Sequence, residues 1–327
     1  MNGKHNGFFQ APYRGKNNYW RYLVVLLAVM VGYFIGQLPL GIAALLQMNS
    51  GKEGVSIDEF QKTADFSVLG LDANLGLFLL LLSFAGALIF LCAATKLFHR
   101  RPWQTLISYS GRLNWRKIGF GFSAWLFLCI VVESYSYFSD PEIYEFHFAG
   151  MQFVILLVIA FFVLPLQTSF EELFFRGWMM QGLGFMSGSK IVALLISTAL
   201  FAGIHSLNPE VKTYGYAPMM MYYFQAGLFL GLLTALDDSL DLALGVHFAT
   251  NFYAAVFFNY EAAALQTHSL FTSEEPLNVM GVNLSFLIIA VIFIFFCKHL
   301  YKWNFNSLFR PVGTPSDRLL DTDNEED

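Results

Sequence analysis

The stretch AGMQFVILLVIAFFVLPLQTSFEELFFRG, Ala149–Gly177, decides the class of this protein. From Ala149 to Phe170 it carries no charged side chain, and about 20 apolar residues suffice for one membrane-spanning helix. Two adjacent carboxylates, Glu171 and Glu172, and then Arg176 follow at its end. An ionisable side chain within a membrane helix costs a few kcal/mol or more and by default marks a functional site. Glu172 and Arg176 are four residues apart with the acid on the N-terminal side, the favourable order for a helical ion pair. In a regular helix Glu171 lies about 100° around the axis from Glu172, on a face shared with Gln167 and Phe175. That spacing lets Arg176 neutralise Glu172 and leaves Glu171 as the free carboxylate. The bland alternative is two polar residues at a helix end, snorkelling to the headgroups. Pro165 is expected to kink this helix.

The rest of the chain has the same character. It is 56% hydrophobic, 17% aromatic and 13% charged, and the charged fraction of a soluble domain is about twice that. The net charge of -5 reflects acids concentrated in loops and the tail. No basic surplus points to nucleic acid, and the expected surroundings are the lipid bilayer. The three cysteines, Cys92, Cys129 and Cys297, lie in apolar runs without CxxC spacing and read as packing residues. Apolar runs fall at about 20–48, 69–96, 116–137, 149–181, 188–206, 217–236, 240–259 and 281–303. The fold class is therefore all-α, a polytopic membrane helix bundle of about eight transmembrane helices. The first run is too long for a signal-peptide core and is read as a retained span. The organisation divides into residues 1–148 with the first three spans, a core over 149–259, a last span within 260–303, and a disordered acidic cytoplasmic tail over 304–327.

Basic residues orient the bundle. With the N-terminus inside, Lys52, Lys62 and Lys212 lie in outer loops and the other sixteen of the 19 lysines and arginines lie in inner segments. That bias predicts an integral protein of the plasma (cell inner) membrane with both termini cytoplasmic. The inner turn Asp237–Asp241 is an exception, holding acids and no base. Beyond the acid pair, His205 ends the fifth span in FAGIHS, and His247 and Asn251 share one face of the seventh in HFATN. At about 1.5 Å per residue, Glu171, His205, His247 and Asn251 fall in one depth band. Individually each has a structural reading, as an interhelical hydrogen-bonder. Glu133 reads as interfacial, Gln225 as a helix–helix contact, and His99 and His299 as headgroup contacts.

This set restricts the chemistry. There is no GxSxG elbow and no HExxH helix. A carboxylate in a low-dielectric pocket can take a proton from water, a neutral histidine can orient that water, and a second histidine with an asparagine amide can donate to an oxyanion. Those parts suit hydrolysis of an amide by direct attack of water. Glu171, His205 and His247 also match a His2Glu zinc site holding Zn2+, and the residues alone leave both routes open.

The motifs EExxxR (Glu171, Glu172, Arg176), FxxxH (Phe201, His205) and HxxxN (His247, Asn251), in that order on successive helices, resemble the CPBP family of intramembrane proteases. That family groups type II CAAX prenyl endopeptidases with bacterial Abi proteins linked to bacteriocin processing and self-immunity. The resemblance covers about residues 149–259. It implies an endopeptidase acting on a peptide or protein substrate at the membrane, with Glu171 and His205 activating water, His247 and Asn251 stabilising the oxyanion, and Glu172 and Arg176 in support. Two readings from other classes compete: a proton-coupled transporter using the same carboxylate and histidines as a relay, and a non-catalytic immunity protein on the same fold. The absence of an internal repeat speaks against the transporter.

Overall fold

A computed structural model describes residues 7–50, 54–260, 262–273 and 277–313. Of the expected disordered tail over 304–327, residues 304–313 are folded, with a 3₁₀ helix over Phe305–Phe309 and Leu308 and Val312 buried, and the remainder lies outside the described residues. Eight main helices follow the eight apolar runs: α1 (Tyr19–Asn49), α2 (Ala73–Phe98), α3 (Trp115–Ser139), α4 (Met151–Ser187), α5 (Lys190–His205), α6 (Tyr216–Asp237), α7 (Asp241–Val256) and α8 (Val279–Tyr301). Six of them are long and apolar enough to cross a membrane. Helices α5 and α7 have 16 residues each, so they rise about 24 Å against a hydrocarbon core of about 30 Å. Two of these eight main helices thus fall short of crossing length, and among the described residues six helices, where about eight spans were expected, are long and apolar enough to cross. Nearly every side of α7 is buried in protein. It therefore needs no outward apolar stripe, which explains its weak hydropathy.

The outer faces are apolar where they would meet lipid. On α8, Leu284, Leu287, Ile288, Val291, Ile292, Phe295 and Phe296 are all exposed, a stripe at helical spacing. On α1, Leu27, Met30, Val31, Phe34, Ile35 and Leu38 do the same. The inner faces of the helices meet through small residues. A Cβ on Gly32 would lie 2.7 Å from the Gly86 carbonyl, which is how closely α1 and α2 approach. A Cβ on Gly121 would lie 2.8 Å from the Leu242 carbonyl, and one on Gly245 would strike the Ile118 carbonyl, so α3 and α7 also meet backbone to backbone.

The segment ahead of α1 is part of the core. A short 3₁₀ helix, Phe8–Arg14, buries Phe8 and Phe9 completely. The Phe8 N–H donates to Asp238 Oδ1 at 2.8 Å, and Lys117 pairs with Asp237 at 2.7 Å. Asp241 Oδ1 accepts the Asn114 N–H at 3.0 Å. The base-free turn Asp237–Asp241 is thus satisfied by donors from elsewhere in the bundle. At the opposite ends of α3 and α7, three strands form a small sheet in the order β1–β3–β2 (β1 Tyr144–Phe146, β2 Phe258–Tyr260, β3 Phe271–Ser273), with β1 antiparallel and β2 parallel to β3. Glu133 near the end of α3 accepts from Tyr144 Oη at 2.6 Å and from the hydroxyl of Tyr253. It is a tether between α3, the sheet and α7, and so more than an interfacial charge. The expectation for His99 is also corrected. It is fully buried, its Nδ1 lies 2.9 Å from the Lys16 carbonyl, and its Nε2 accepts the Trp178 indole N–H at 3.0 Å. A ring held on both nitrogens inside the core cannot contact headgroups.

Candidate active site

Helix α4 carries the acid pair on a backbone that is not a regular α-helix. It is interrupted at Val163, two residues before Pro165, and resumes over Leu164–Glu171. From Glu172 to Met180 it is a π-helix, whose i→i+5 hydrogen bonds widen the turn and which is frequent at functional sites. All side chains from Glu171 to Trp178 are buried. Glu172 is 0% exposed and Arg176 1%, so the charges there must be met within the protein.

They are met by a chain of contacts across four helices. Arg176 Nη1 donates to Glu172 Oε1 at 2.7 Å, and Nη2 donates to the Gly227 carbonyl of α6 at 3.2 Å. Its guanidinium lies 4.4 Å from the centre of the Phe201 ring on α5, a cation–π contact. The same Oε1 of Glu172 also contacts His247 Nδ1 of α7 at 2.7 Å. The far side of that imidazole, Nε2, lies 3.7 Å from Glu171 Oε2. Glu171 Oε1 accepts from Gln167 Nε2 at 3.3 Å, one turn earlier on the face the spacing marked out. Read along α4 alone, Glu172 has the single partner Arg176. The folded chain gives it a second, and His247 bridges the two carboxylates.

His205 stands beside this chain. Its Nδ1 lies 2.7 Å from the Phe201 carbonyl, and its ring lies 4.4 Å from the rings of both Phe201 and Tyr223, stacked on the latter at 28°. Glu171, His247 and Arg176 are within electrostatic range of it. Asn251 follows His247 by one turn on the same face and is half-buried. Hydrogen-bond chemistry assigns the ring protons. A carbonyl or carboxylate oxygen accepts, so Nδ1 of each histidine must donate. Nε2 of a neutral His205 is then an open acceptor, and Nε2 of His247 becomes a donor when the ring holds a second proton. Tyr33 of α1 is also within electrostatic range of Glu171, and nothing in the motifs pointed to it.

Among the described residues no three His, Cys, Asp or Glu side chains are grouped so as to hold a metal ion. Glu171 and His247 adjoin, and His205 holds its Nδ1 to the Phe201 carbonyl. The expected His2Glu zinc set Glu171, His205 and His247 does not stand out as such a group, and no step below runs through a metal.

A helical bundle with apolar outer faces that encloses a carboxylate–imidazole centre defines a polytopic membrane protein with a buried polar site. Residues 149–253 match the Rce1-like family, described as type II CAAX prenyl endopeptidase. Uncharacterized protein YyaK of Bacillus subtilis (strain 168) is 31% identical over 292 residues, covering 86% of this chain and 95% of that protein. No solved structure matches. The chain belongs to the Rce1-like family of type II CAAX prenyl endopeptidases, and the matched segment contains Glu171, Glu172, Arg176, His205, His247 and Asn251.

Proposed function

We propose that the protein is an intramembrane endopeptidase that hydrolyses a peptide bond of a membrane-associated peptide or protein, using water activated at Glu171. The observation that carries this reading is the buried series Arg176–Glu172–His247–Glu171, which leaves Glu171 Oε2 and the Nε2 atoms of both histidines for chemistry. A water held between Glu171 and His205 Nε2 gives a proton to the carboxylate as its oxygen attacks the scissile carbonyl carbon. The resulting oxyanion takes hydrogen bonds from Nε2–H of a doubly protonated His247 and from the Asn251 amide. Collapse breaks the C–N bond, and Glu171 returns its proton to the leaving nitrogen. Glu172 and Arg176 work through His247, the carboxylate orienting the ring and the guanidinium orienting the carboxylate. Both chain ends lie on the cytoplasmic side, from the basic-residue bias.

Glu171→Gln keeps the shape and removes the base. Purified protein in detergent, assayed on a quenched peptide library, is expected to lose turnover by about a hundredfold or more with little change in melting temperature. Wild-type turnover in that variant would exclude Glu171 as the base.

A further inference from the structure

A second buried acid stands behind His205, outside the family motifs. The chain leaves α5 through Ser206–Asn208 and enters a short helix, Pro209–Tyr214. The Asn208 N–H donates to the His205 carbonyl at 3.1 Å. Glu210, on that short helix, is 2% exposed. Its Oε1 accepts the Tyr223 hydroxyl and the Asn208 amide at 3.3 Å, and the Asn208 amide also donates to Tyr223 Oη at 2.9 Å. Three side chains thus close a triangle of hydrogen bonds. Tyr223, from α6, turns the face of its ring onto His205 at 4.4 Å. The body of that ring packs in a small apolar cluster with Ala202, Val211, Met219 and Val279.

A buried carboxyl needs a reason for being there, and among the described residues this one pairs with no cation. Among the described residues Glu210 Oε2 is buried without a hydrogen-bond partner, and burial pushes the carboxyl above its ordinary value. The group fits a neutral or proton-sharing carboxyl whose work is geometric. His205 needs such a device. It is the last residue of its helix, where backbone restraint is weakest, and a rotation of its imidazole would redirect Nε2.

We propose that Glu210, with Asn208 and Tyr223, is a positioning relay for His205: the carboxyl and amide hold the phenol, the phenol ring sets the plane of the imidazole, and the Phe201 carbonyl fixes which nitrogen is left open. Glu210 and Tyr223 are positioning residues, since neither reaches the reacting atoms. The proposal rests on the hydrolytic reading of the site for its kinetic consequence, and on the fold alone for its effect on the ring.

The test uses full-length protein in detergent and three variants, Glu210→Gln, Tyr223→Phe and Tyr223→Leu. The first readout is the nitrogen NMR spectrum of labelled histidine, with His205→Gln assigning the His205 signals. Wild type is expected to show the Nδ1–H tautomer of His205. Tyr223→Leu removes the stacked ring and is expected to give mixed tautomers or a broadened, mobile signal. Tyr223→Phe keeps the ring but releases its tether, and is expected to lie between wild type and Tyr223→Leu. Glu210→Gln, which keeps one acceptor for the phenol but a weaker one, should lie between wild type and Tyr223→Phe. The second readout is peptide cleavage, where kcat per folded molecule should fall about tenfold to a hundredfold with KM unchanged. If no variant changes the His205 spectrum, or if kcat is unchanged in folded Tyr223→Phe and Glu210→Gln, the relay is refuted. A wild-type protein without cleavage would refute the hydrolytic reading instead, and the spectra would still decide the relay. Should Tyr223→Leu not fold, the two milder variants carry the decision.

Discussion

Glu172→Gln tests the double role of one oxygen atom. In the native protein Glu172 Oε1 meets Arg176 Nη1 and His247 Nδ1, both at 2.7 Å, and neither Glu172 nor Arg176 is reached by solvent to more than 1%. Removing the charge of one partner of a buried ion pair costs about 3–5 kcal/mol. Glutamine keeps a carbonyl for Arg176, so the lower end, about 3 kcal/mol, is expected. The kinetic effect has a separate cause. With its carbonyl taken by Arg176, the glutamine presents its amide N–H to His247 Nδ1, which must then accept. The ring then cannot hold a proton on both nitrogens, so the oxyanion loses the charged Nε2–H donor and meets a neutral, weaker one. Turnover per folded molecule is expected to fall on the order of a hundredfold, with a clear loss of thermal stability. Glu171→Gln, by contrast, should lose turnover while keeping its melting temperature. The assay is peptide cleavage normalised to folded protein, beside melting curves and the histidine NMR spectrum. A folded Glu172→Gln protein with wild-type kcat and an unchanged His247 signal would refute the reasoning.

Other consequences follow from the packing and the charges. Burial lowers His99 from its ordinary value of 6.5 to about 4, so between those pH values the unfolded chain binds a proton that the folded one does not. Stability is therefore full above about pH 6.5 and falls as pH drops towards 4, by up to about 3 kcal/mol; melting at pH 7.5 and 5.0 should show a larger loss in wild type than in His99→Gln, and equal losses would exclude this cause. Gly245→Leu drives a side chain into the Ile118 carbonyl, whereas Gly119 has nothing within 4 Å of a Cβ. The first should destabilise by roughly 1–3 kcal/mol and Gly119→Leu by much less, a ranking that thermal melting in detergent would reverse if the α3–α7 approach were unimportant. Reporter fusions after Met48 and after Asp327 should report opposite compartments, and the same compartment for both would overturn the topology.

Local spacing made much of this protein legible from the residues in order. The run Ala149–Phe170 sets the membrane class, because the length of an apolar segment and its lack of charge are properties of consecutive residues. The Glu172–Arg176 pair and the Gln167–Glu171 contact also come from neighbours one turn apart on a single helix, where geometry is nearly independent of the rest of the fold. Tertiary structure decided what joins the helices. His247 lies 75 positions from Glu172, and no periodicity could show that its ring would turn Nδ1 to that carboxylate and Nε2 to Glu171. The π-helix over Glu172–Met180 is likewise a long-range outcome, since its side chains look like those of any apolar helix and the extra width is imposed by what surrounds them. Glu210 and Tyr223 belong to different elements, and their single shared hydrogen bond leaves no pattern along the chain. The short lengths of α5 and α7 had the same origin: a helix enclosed by other helices needs to satisfy its neighbours and not the thickness of a bilayer.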